Sequence, residues 1–445
     1  MIRESLLAQI WKQQLISREA LMTADGKGVR VLFPGRQNSD RGPDFCHATI
    51  TIDGGKRLQG DVELHVRSRE WQAHGHHRDP NYNGVILHVV MWNDGREVSV
   101  LQSGEKVPIL ALSPYLSGSL EQLQQAVQLS MLSREGRHQV LHRHDRAAVG
   151  ELLDKAGEER FRSKSARFRA KAAANEPDEV LYGGIMRGLG YAKNKGPFEE
   201  LARLLPLSAL KQFATRGDTV EMQALMLGIA GLLPAQRLGN YGSEHLSGCN
   251  EPEVKRLQQA WRSFDVGETM SAFDWRFFRV RPENFPPRRI VAASYLLSRH
   301  GGGLLGDMLA TVGQASVRRV QRELEQSLMV QVGGYWASHY DFGIEAGWNP
   351  SLIGRGRARE IVVNVVLPFL FAWGEKLSQT WLKDRAMQLY RDHPRLGENS
   401  VTRYMERQIF GEDQAKVTSV CQQQGLIHLY EVFCVEGRCY DCPLG

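Results

Sequence analysis

The sequence contains no long apolar run, and charged residues already occur among its first seven positions. A membrane-spanning helix needs about 20 mostly apolar residues, and a secretory signal needs an apolar stretch close to the N-terminus. The sequence therefore predicts a cytoplasmic protein without a membrane segment.

Cysteine is also scarce, with six residues in a chain of 445. This number is too small for a disulfide scaffold. Four of the six crowd the C-terminus, at Cys421, Cys434, Cys439 and Cys442. Four thiolates suit tetrahedral Zn²⁺ or a [4Fe-4S] cluster, and the spacing does not choose between them. We expect a structural metal site there, with Cys249 or His428 as substitutes if Cys421 does not reach, and with buried or free thiols as the alternative.

Several common catalytic motifs are missing. The chain has no Walker loop, no nucleotide-binding glycine fingerprint and no nucleophile elbow, which argues against ATPases, dehydrogenases and serine hydrolases. Its 56 Lys and Arg residues exceed its 50 Asp and Glu residues and give a net charge of +6. This modest excess favours an anionic partner such as nucleic acid.

Hydrophobic patterns divide the chain into a strand-rich and a helical part. After an amphipathic helix at 4–15, residues 29–112 show short strand-like runs broken by Gly, Asn, Asp and Pro. Helical patterns then follow at 116–132, 146–174, 177–189, 197–212, 219–232, 251–264, 288–298 and 360–374. We predict an α+β module at 1–112, an α-helical domain at 113–415 and a cysteine-rich metal-binding segment at 416–445.

Acids and imidazoles are concentrated between Gly42 and Trp92. A turn at Gly54-Gly55 suits a two-residue hairpin loop, and pairing residue 53 with 56 places Asp44 opposite His65. Glu63 and Asp61 then share that face, because side chains alternate along a strand. Close carboxylates repel unless one takes up a proton or a cation lies between them, so the pattern indicates a divalent metal.

These residues resemble the core motif of the PD-(D/E)XK nucleases, in which a Pro-Asp begins one strand and Glu-x-Lys follows in the next. The resemblance implies a restriction-endonuclease-like module in which Asp44 and Glu63 bind Mg²⁺ or Mn²⁺, with Glu4 as a possible further acid. His65 stands in place of the lysine. It would either stay charged and orient water or bind a softer metal such as Mn²⁺. The order of segments also resembles a bacterial family of unknown function, which brings no established activity.

A loop between two strand-like runs contains His74, His76 and His77. These imidazoles could add metal ligands or contact phosphates, and a solvated loop is the alternative. His88 lies within an apolar run and is expected to be a hydrogen-bonded core residue. Trp71 is expected to be a packing anchor.

Basic residues in the helical part provide candidate contacts to phosphate. They occur along one predicted helix and at the start of another, at Arg160, Arg162, Arg167, Arg169, Arg355 and Arg357. Such residues can bind nucleic acid without sequence preference, and a solvated helix face is the alternative. Arg288 and Arg289 open a further helix and are candidates for the same groove.

Together these patterns predict a metal-dependent nuclease acting on DNA or RNA, with Asp44, Glu63 and His65 as catalytic residues. Two alternatives remain open. One is a nucleic-acid-binding protein that has lost catalysis, and the other is a non-nuclease hydrolase that holds Zn²⁺ or Mn²⁺ through His65 and the three loop histidines.

Overall fold

The structure is a computed structural model of the whole chain. It describes residues 4–17, 21–38, 41–55, 57–120, 122–123, 145–217, 219–237, 251–278, 280–301, 303–314, 316–411, 417–435, 438 and 441–444. The chain forms two compact units, Met1–Arg137 and His138–Gly445. No helix within the described ranges has both the length and the apolar character needed to cross a bilayer.

The first unit is built on a mixed eight-stranded sheet. Its strands are β1 Leu21–Met22, β2 Gly28–Phe33, β3 Arg36–Gln37, β4 Phe45–Ile52, β5 Arg57–Arg67, β6 Val85–Trp92, β7 Val98–Val100 and β8 Lys106–Ala111. The main order is β1-β2-β4-β5-β6-β8-β7, and β3 pairs with β4. The β5–β6 and β6–β8 pairs are parallel, and the other pairs are antiparallel. The unit also has helices α1 Glu4–Gln13 and α2 Glu70–Ala73, with short 3₁₀ turns at His76–Arg78, Pro80–Tyr82 and Ser113–Tyr115.

The two faces of this sheet have different roles. Side chains alternate along β5, so Val62 and Leu64 enter the main core together with Trp11 of α1. Glu63 and His65 point to the opposite face, and both are buried. The segment between β5 and β6 therefore covers a polar face of the sheet, and this is where the candidate site lies.

The predicted hairpin register is wrong by one residue near the turn. Thr51 pairs with Arg57, and the same register continues to Ala48 opposite Gly60. A bulge then follows at His47, whose φ of 60° is the left-handed conformation that such irregularities use. Beyond it Phe45 pairs with Val62, so Asp44 comes opposite Glu63 and not opposite His65.

The second unit is helical. Its helices are α3 Arg146–Ala172, α4 Pro177–Leu189, α5 Lys195–Leu204, α6 Leu207–Arg216, α7 Thr219–Ile229, α8 Pro234–Arg237, α9 Pro252–Trp261, α10 Pro286–His300, α11 Leu304–Val312, α12 Val317–Leu328, α13 Tyr335–Ser338, α14 Arg355–Ile361, α15 Leu367–Lys376, α16 Thr380–Arg391, α17 Ser400–Phe410 and α18 Val420–Leu429. Two small antiparallel pairs join β9 Val330–Gln331 to β12 Ser351–Ile353 and β10 His339–Asp341 to β11 Ile344–Glu345. π-helical turns occur at Val362–Val366 and Tyr430–Cys434.

An α+β architecture, with a strand-rich N-terminal part and a larger helical part, is thus confirmed, but several helix predictions need correction. Pro206 divides the helix predicted at 197–212 into α5 and α6, since proline cannot donate a helical hydrogen bond. The helix predicted at 360–374 is interrupted by the π-helical turn. In the helix predicted at 116–132, residues 116–119 are not helical, residues 120 and 122–123 are, and the rest lie outside the described residues.

Candidate metal centre

Three imidazoles meet on the polar face of the first sheet. His65 Nε2 lies 3.1 Å from His74 Nδ1 and 3.3 Å from His76 Nε2. Glu63 Oε1 lies 3.3 Å from His76 Nε2 and 3.7 Å from His65 Nε2. Strand β5 supplies Glu63 and His65, and the turns after α2 supply His74 and His76. These four side chains form the histidine cluster.

The spacing of the cluster fits a transition-metal ion. Zn–N and Zn–O bonds of about 2.0 to 2.1 Å give a coordination tetrahedron whose edges are about 3.3 to 3.4 Å long. Four separations between donor atoms lie between 3.1 and 3.7 Å and bracket that length. The ligand atoms of His65, His74 and His76 all lie within 4.8 Å of one another. The donor set of imidazoles and one carboxylate suits Zn²⁺ or Mn²⁺.

Asp44 and Glu63 are held against each other by the backbone. Glu63 Oε2 accepts a hydrogen bond from the Asp44 amide at 2.9 Å, and Asp44 Oδ2 accepts one from the Leu64 amide at 3.1 Å. The bulge at His47 makes this reciprocal arrangement possible, because it brings Asp44 into register with Glu63. Each carboxylate thus keeps its second oxygen for the site.

Behind the cluster a hydrogen-bonded relay fixes the orientation of His65. His65 Nδ1 lies 2.9 Å from His88 Nε2, and His88 Nδ1 lies 2.7 Å from Ser99 Oγ. If each ring donates from Nδ1, His65 presents an unprotonated Nε2 to the cluster. Metal-binding histidines commonly use their other ring nitrogen in this way.

Aromatic side chains pack against the imidazoles of the histidine cluster. Trp71 is 1% exposed, donates its indole N–H to the Val100 carbonyl and packs by edge contacts against His65 and His76. The ring of Tyr82 lies 3.9 Å from that of His76. Trp71 is therefore the expected packing anchor, and His88 is the expected hydrogen-bonded core residue.

Burial controls protonation in the cluster. It lowers the pKa of His65 to about 2, with the imidazoles of His88, His76 and His74 adding to the effect. It likewise lowers the pKa of His76 to about 4 and that of His88 to about 3. These rings are neutral at pH 7, which is the state in which imidazole binds a metal.

Burial acts in the opposite direction on the carboxyls. It raises the pKa of Glu63 to about 9, with further contributions from the Asp44 and Glu4 charges. It raises the pKa of Asp44 to about 6, and Glu4 again contributes. Glu4, at the start of α1, is thus close enough to act on both acids, and the pair holds a proton at pH 7 when no cation replaces it.

Comparison with known proteins gives a family but no activity. A family model described as "Protein of unknown function (DUF2851)" matches residues 4–399. The chain belongs to the DUF2851 family. No curated protein and no solved structure matches it. The function of this DUF2851 member therefore has to be inferred from the site itself.

Two residues predicted for the site of this DUF2851 member, Asp61 and His77, are not part of the group of converging ligands. Asp61 accepts a hydrogen bond from the His47 amide at 3.1 Å and so supports the bulge. His77 lies beside the cluster in sequence, but its buried Nδ1 has no hydrogen-bond partner in the described structure.

Sequence reasoning did not select Tyr82 or Ser99 and gave His88 no part in the site. The sequence contains one signal for the relay. It is a histidine, His88, within the otherwise apolar strand β6, together with the Val-Ser-Val run of β7 that contains Ser99.

Cys421 lies apart from the other described C-terminal cysteines. Cys421 is buried in the helical core, where Sγ donates to the Asp154 carbonyl and burial raises its pKa to about 12. Cys434 and Cys442 pack against a different apolar cluster. Cys439 lies outside the described residues, so a four-cysteine site in this DUF2851 chain stays a prediction.

The predicted basic residues separate into distinct environments. Arg160, Arg167 and Arg357 line one cleft of the second unit. Arg162 pairs with Glu158 and Arg169 with Glu375, and neither lines that cleft. Arg355 pairs with Glu325.

Arg288 and Arg289 were candidates for a phosphate groove, and this interpretation is wrong. Both are buried. Arg288 donates to the carbonyls of Trp336, His339 and Asn349, so its role is to hold loop backbone.

Proposed function

We propose that this protein is a metal-dependent hydrolase that cleaves phosphodiester bonds in nucleic acid. Its metal would be Zn²⁺ or Mn²⁺, held by His65, His74, His76 and Glu63. The observation that carries the proposal is the convergence of three imidazole nitrogens, with the Glu63 carboxylate close to two of them. The resemblance implies Mg²⁺ or Mn²⁺ on Asp44 and Glu63, and the imidazole donors favour Mn²⁺ or Zn²⁺ over Mg²⁺.

The protein's own residues supply the remaining chemistry. A bound transition metal lowers the pKa of a coordinated water and polarises a phosphoryl oxygen. Asp44 is held beside Glu63 by backbone hydrogen bonds and keeps one carboxylate oxygen for the site, so it is placed to accept the proton of an attacking water. His65 is neutral and engaged at both ring nitrogens, so of its two predicted roles the structure favours metal binding over lysine-like charge.

One further feature supports a phosphodiester substrate. Asp44 precedes β4 and Glu63-x-His65 lies in the neighbouring strand β5, which is the arrangement that the resemblance to PD-(D/E)XK nucleases implies.

The decisive experiment measures metal content and cleavage together. Protein purified without chelator is analysed by mass spectrometry and then incubated with labelled single- and double-stranded DNA and RNA and Mn²⁺, Zn²⁺ or Mg²⁺. The variants His65→Ala and His76→Ala remove ligands, and Asp44→Asn removes the base. The control is His47→Asn, which changes an exposed imidazole on the same hairpin and keeps a residue that tolerates positive φ.

We expect about one ion per chain in the wild type and in His47→Asn, and loss of the ion and of cleavage in His65→Ala and His76→Ala. Asp44→Asn should keep the ion and lose cleavage. Wild-type protein without a metal would mean that the cluster is a hydrogen-bonded imidazole group. A bound ion without cleavage of any nucleic acid would favour the second candidate, a hydrolase with another substrate, which the imidazole donor set also suits.

A further inference from the structure

A cleft of about 1080 Å³ in the second unit carries an unusual excess of positive charge. Seven lysine and arginine side chains line it against three carboxylates, an excess of four positive charges. The lining comes from α3, α4, α5, α14 and α18 and from the two π-helical turns. All of these residues belong to the second unit, whereas the histidine cluster belongs to the first.

Each of the three carboxylates forms an ion pair with at least one of the seven basic side chains. Their ion pairs are Glu199 with Lys171 and Arg187, Glu360 with Arg357, and Glu431 with Arg160. Lys164, Arg167 and Lys195 make no ion pair within the described residues. Three basic side chains therefore have no carboxylate partner among the described residues.

Lys164 shows most clearly that the cleft lacks negative charge. Its Nζ donates to Asn364 Oδ1 at 2.5 Å and to Gln424 Oε1 at 2.8 Å, so neutral amides hold the ammonium group. Burial and the nearby Arg160 guanidinium hold the pKa of Lys164 well below its ordinary value. Burial and the Arg187 charge also lower the pKa of Lys195. An anion between these cations would stabilise their charged forms.

The cleft also offers a place for an organic group. The Arg357 guanidinium lies 3.1 Å from the centre of the Tyr191 ring, and Phe168 and Val365 contribute apolar surface. Small-molecule sites have volumes of about 300 to 1000 Å³ and combine apolar walls with a few polar groups. The cleft, at about 1080 Å³, slightly exceeds that range and is much larger than a single inorganic phosphate needs.

We propose that this cleft binds a nucleotide-sized molecule carrying two or more phosphate groups. Lys164, Arg167 and Lys195 would contact the phosphates, and the Tyr191–Arg357 wall would contact the ring system. The proposal does not rest on the metal centre, and it holds whether or not the first unit is a nuclease.

Calorimetric titration of the full chain in EDTA tests the proposal without any contribution from bound metal. The probes are ATP, inorganic triphosphate, adenosine and a single-stranded oligonucleotide. The variants Arg167→Gln and Lys195→Gln each remove one unpaired cation. The matched control is Arg162→Gln, which lies on the same helix as Arg167 but outside the cleft.

We expect ATP to bind more tightly than inorganic triphosphate and adenosine not to bind. Each cleft variant should weaken ATP binding by about tenfold, because a hydrogen bond to a charged group is lost, and Arg162→Gln should bind as the wild type does. The proposal is overturned if ATP does not bind at millimolar concentration or if Arg162→Gln weakens binding as much as Arg167→Gln. It is also overturned if only the oligonucleotide binds, which would assign the cleft to a nucleic-acid strand.

Discussion

At the scale of single residues, function depends on how burial sets protonation. His65 is 1% exposed and His88 is fully buried, so their rings stay neutral and can be oriented by hydrogen bonds. Burial raises the pKa of Glu63, which lies on the same strand as His65, so Glu63 retains a proton when no cation is bound. The sequence shows which residues are present, but the direction and size of their pKa shifts follow from how the residues pack in the fold.

The relay behind His65 should matter for metal affinity. His88→Phe keeps a ring of similar size but removes the acceptor for His65 Nδ1, so His65 loses its fixed orientation. Loss of such an outer partner typically weakens metal binding by about 10- to 100-fold. A competition titration with a chelator measures the affinity, and Ser99→Ala, one step further from the metal, should have a smaller effect. Wild-type affinity in a folded His88→Phe protein would exclude the relay.

The proton on Glu63 predicts a pH dependence of stability in EDTA. The pKa of Glu63 is raised above its unfolded value, so the stabilisation is complete below about pH 4.5 and is lost as pH rises towards 9. Metal-free protein should lose up to about 1.4 kcal/mol of unfolding free energy per pH unit between pH 6 and 9. Denaturant unfolding of Glu63→Gln should show a shallower slope, with His47→Asn as the control. Equal slopes in wild type and Glu63→Gln would contradict the proton on Glu63.

At the scale of secondary-structure elements, the bulge at His47 shows what sequence patterns can and cannot predict. A turn between β4 and β5 and the strands on either side were predictable from residue types, but the positive φ angles fall at Asp53 and Gly54 and not at Gly54 and Gly55. The bulge was not predictable, because its φ of 60° depends on the Asp61 carboxylate that holds the His47 amide. Asp44 and Glu63 were expected near each other, and they are, but through a different register. His74 and His76 could be recognised as candidates only by composition, since the turns after α2 decide where they point.

Close helix packing gives a prediction at the same scale. Gly157 of α3 lies against the backbone carbonyl of Cys421 in α18, and Gly425 of α18 lies against that of Leu153 in α3. A Cβ at either glycine would overlap the opposing backbone, so Gly157→Ala and Gly425→Ala should each cost about 1 to 3 kcal/mol of unfolding free energy.

A matched control is available on α3. A Cβ at Gly150 would lie 3.5 Å from Gln422 Nε2, which is ordinary contact. Gly150→Ala should therefore leave stability unchanged or raise it slightly, because alanine favours helix. Equal destabilisation by the Gly150 and Gly157 substitutions in chemical denaturation would show that the two helices do not pack this closely.

At the scale of the whole molecule, two units carry two separate chemistries. The first unit brings buried imidazoles and acids together on a sheet face. The second unit gathers cations in a helical cleft. The division into strand-rich and helical parts was visible in the hydrophobic patterns, but the cleft was not. Its cations come from helices far apart in sequence, and only the fold shows which of them lack a carboxylate.

Ligands for the two sites should therefore stabilise different parts of the chain. A metal present at 100 times its dissociation constant adds about 2.7 kcal/mol to the free energy of unfolding of the unit that binds it. Hydrogen exchange followed by mass spectrometry should show slower exchange within residues 1–137 on addition of Zn²⁺. ATP in EDTA should slow exchange only within residues 138–445. If the first equivalent of Zn²⁺ slowed exchange within residues 138–445, the metal would bind in the helical unit and not at the histidine cluster.

X-ray absorption at the metal edge, on protein loaded with one equivalent of Zn²⁺, tests the metal centre most directly. The histidine cluster predicts a first shell of nitrogen and oxygen at about 2.0 to 2.1 Å. Outer scattering from three imidazoles should accompany it and be reduced in His65→Ala. A shell of sulfur at about 2.3 Å, unchanged in His65→Ala, would assign the first metal to cysteine and contradict the centre on His65, His74, His76 and Glu63.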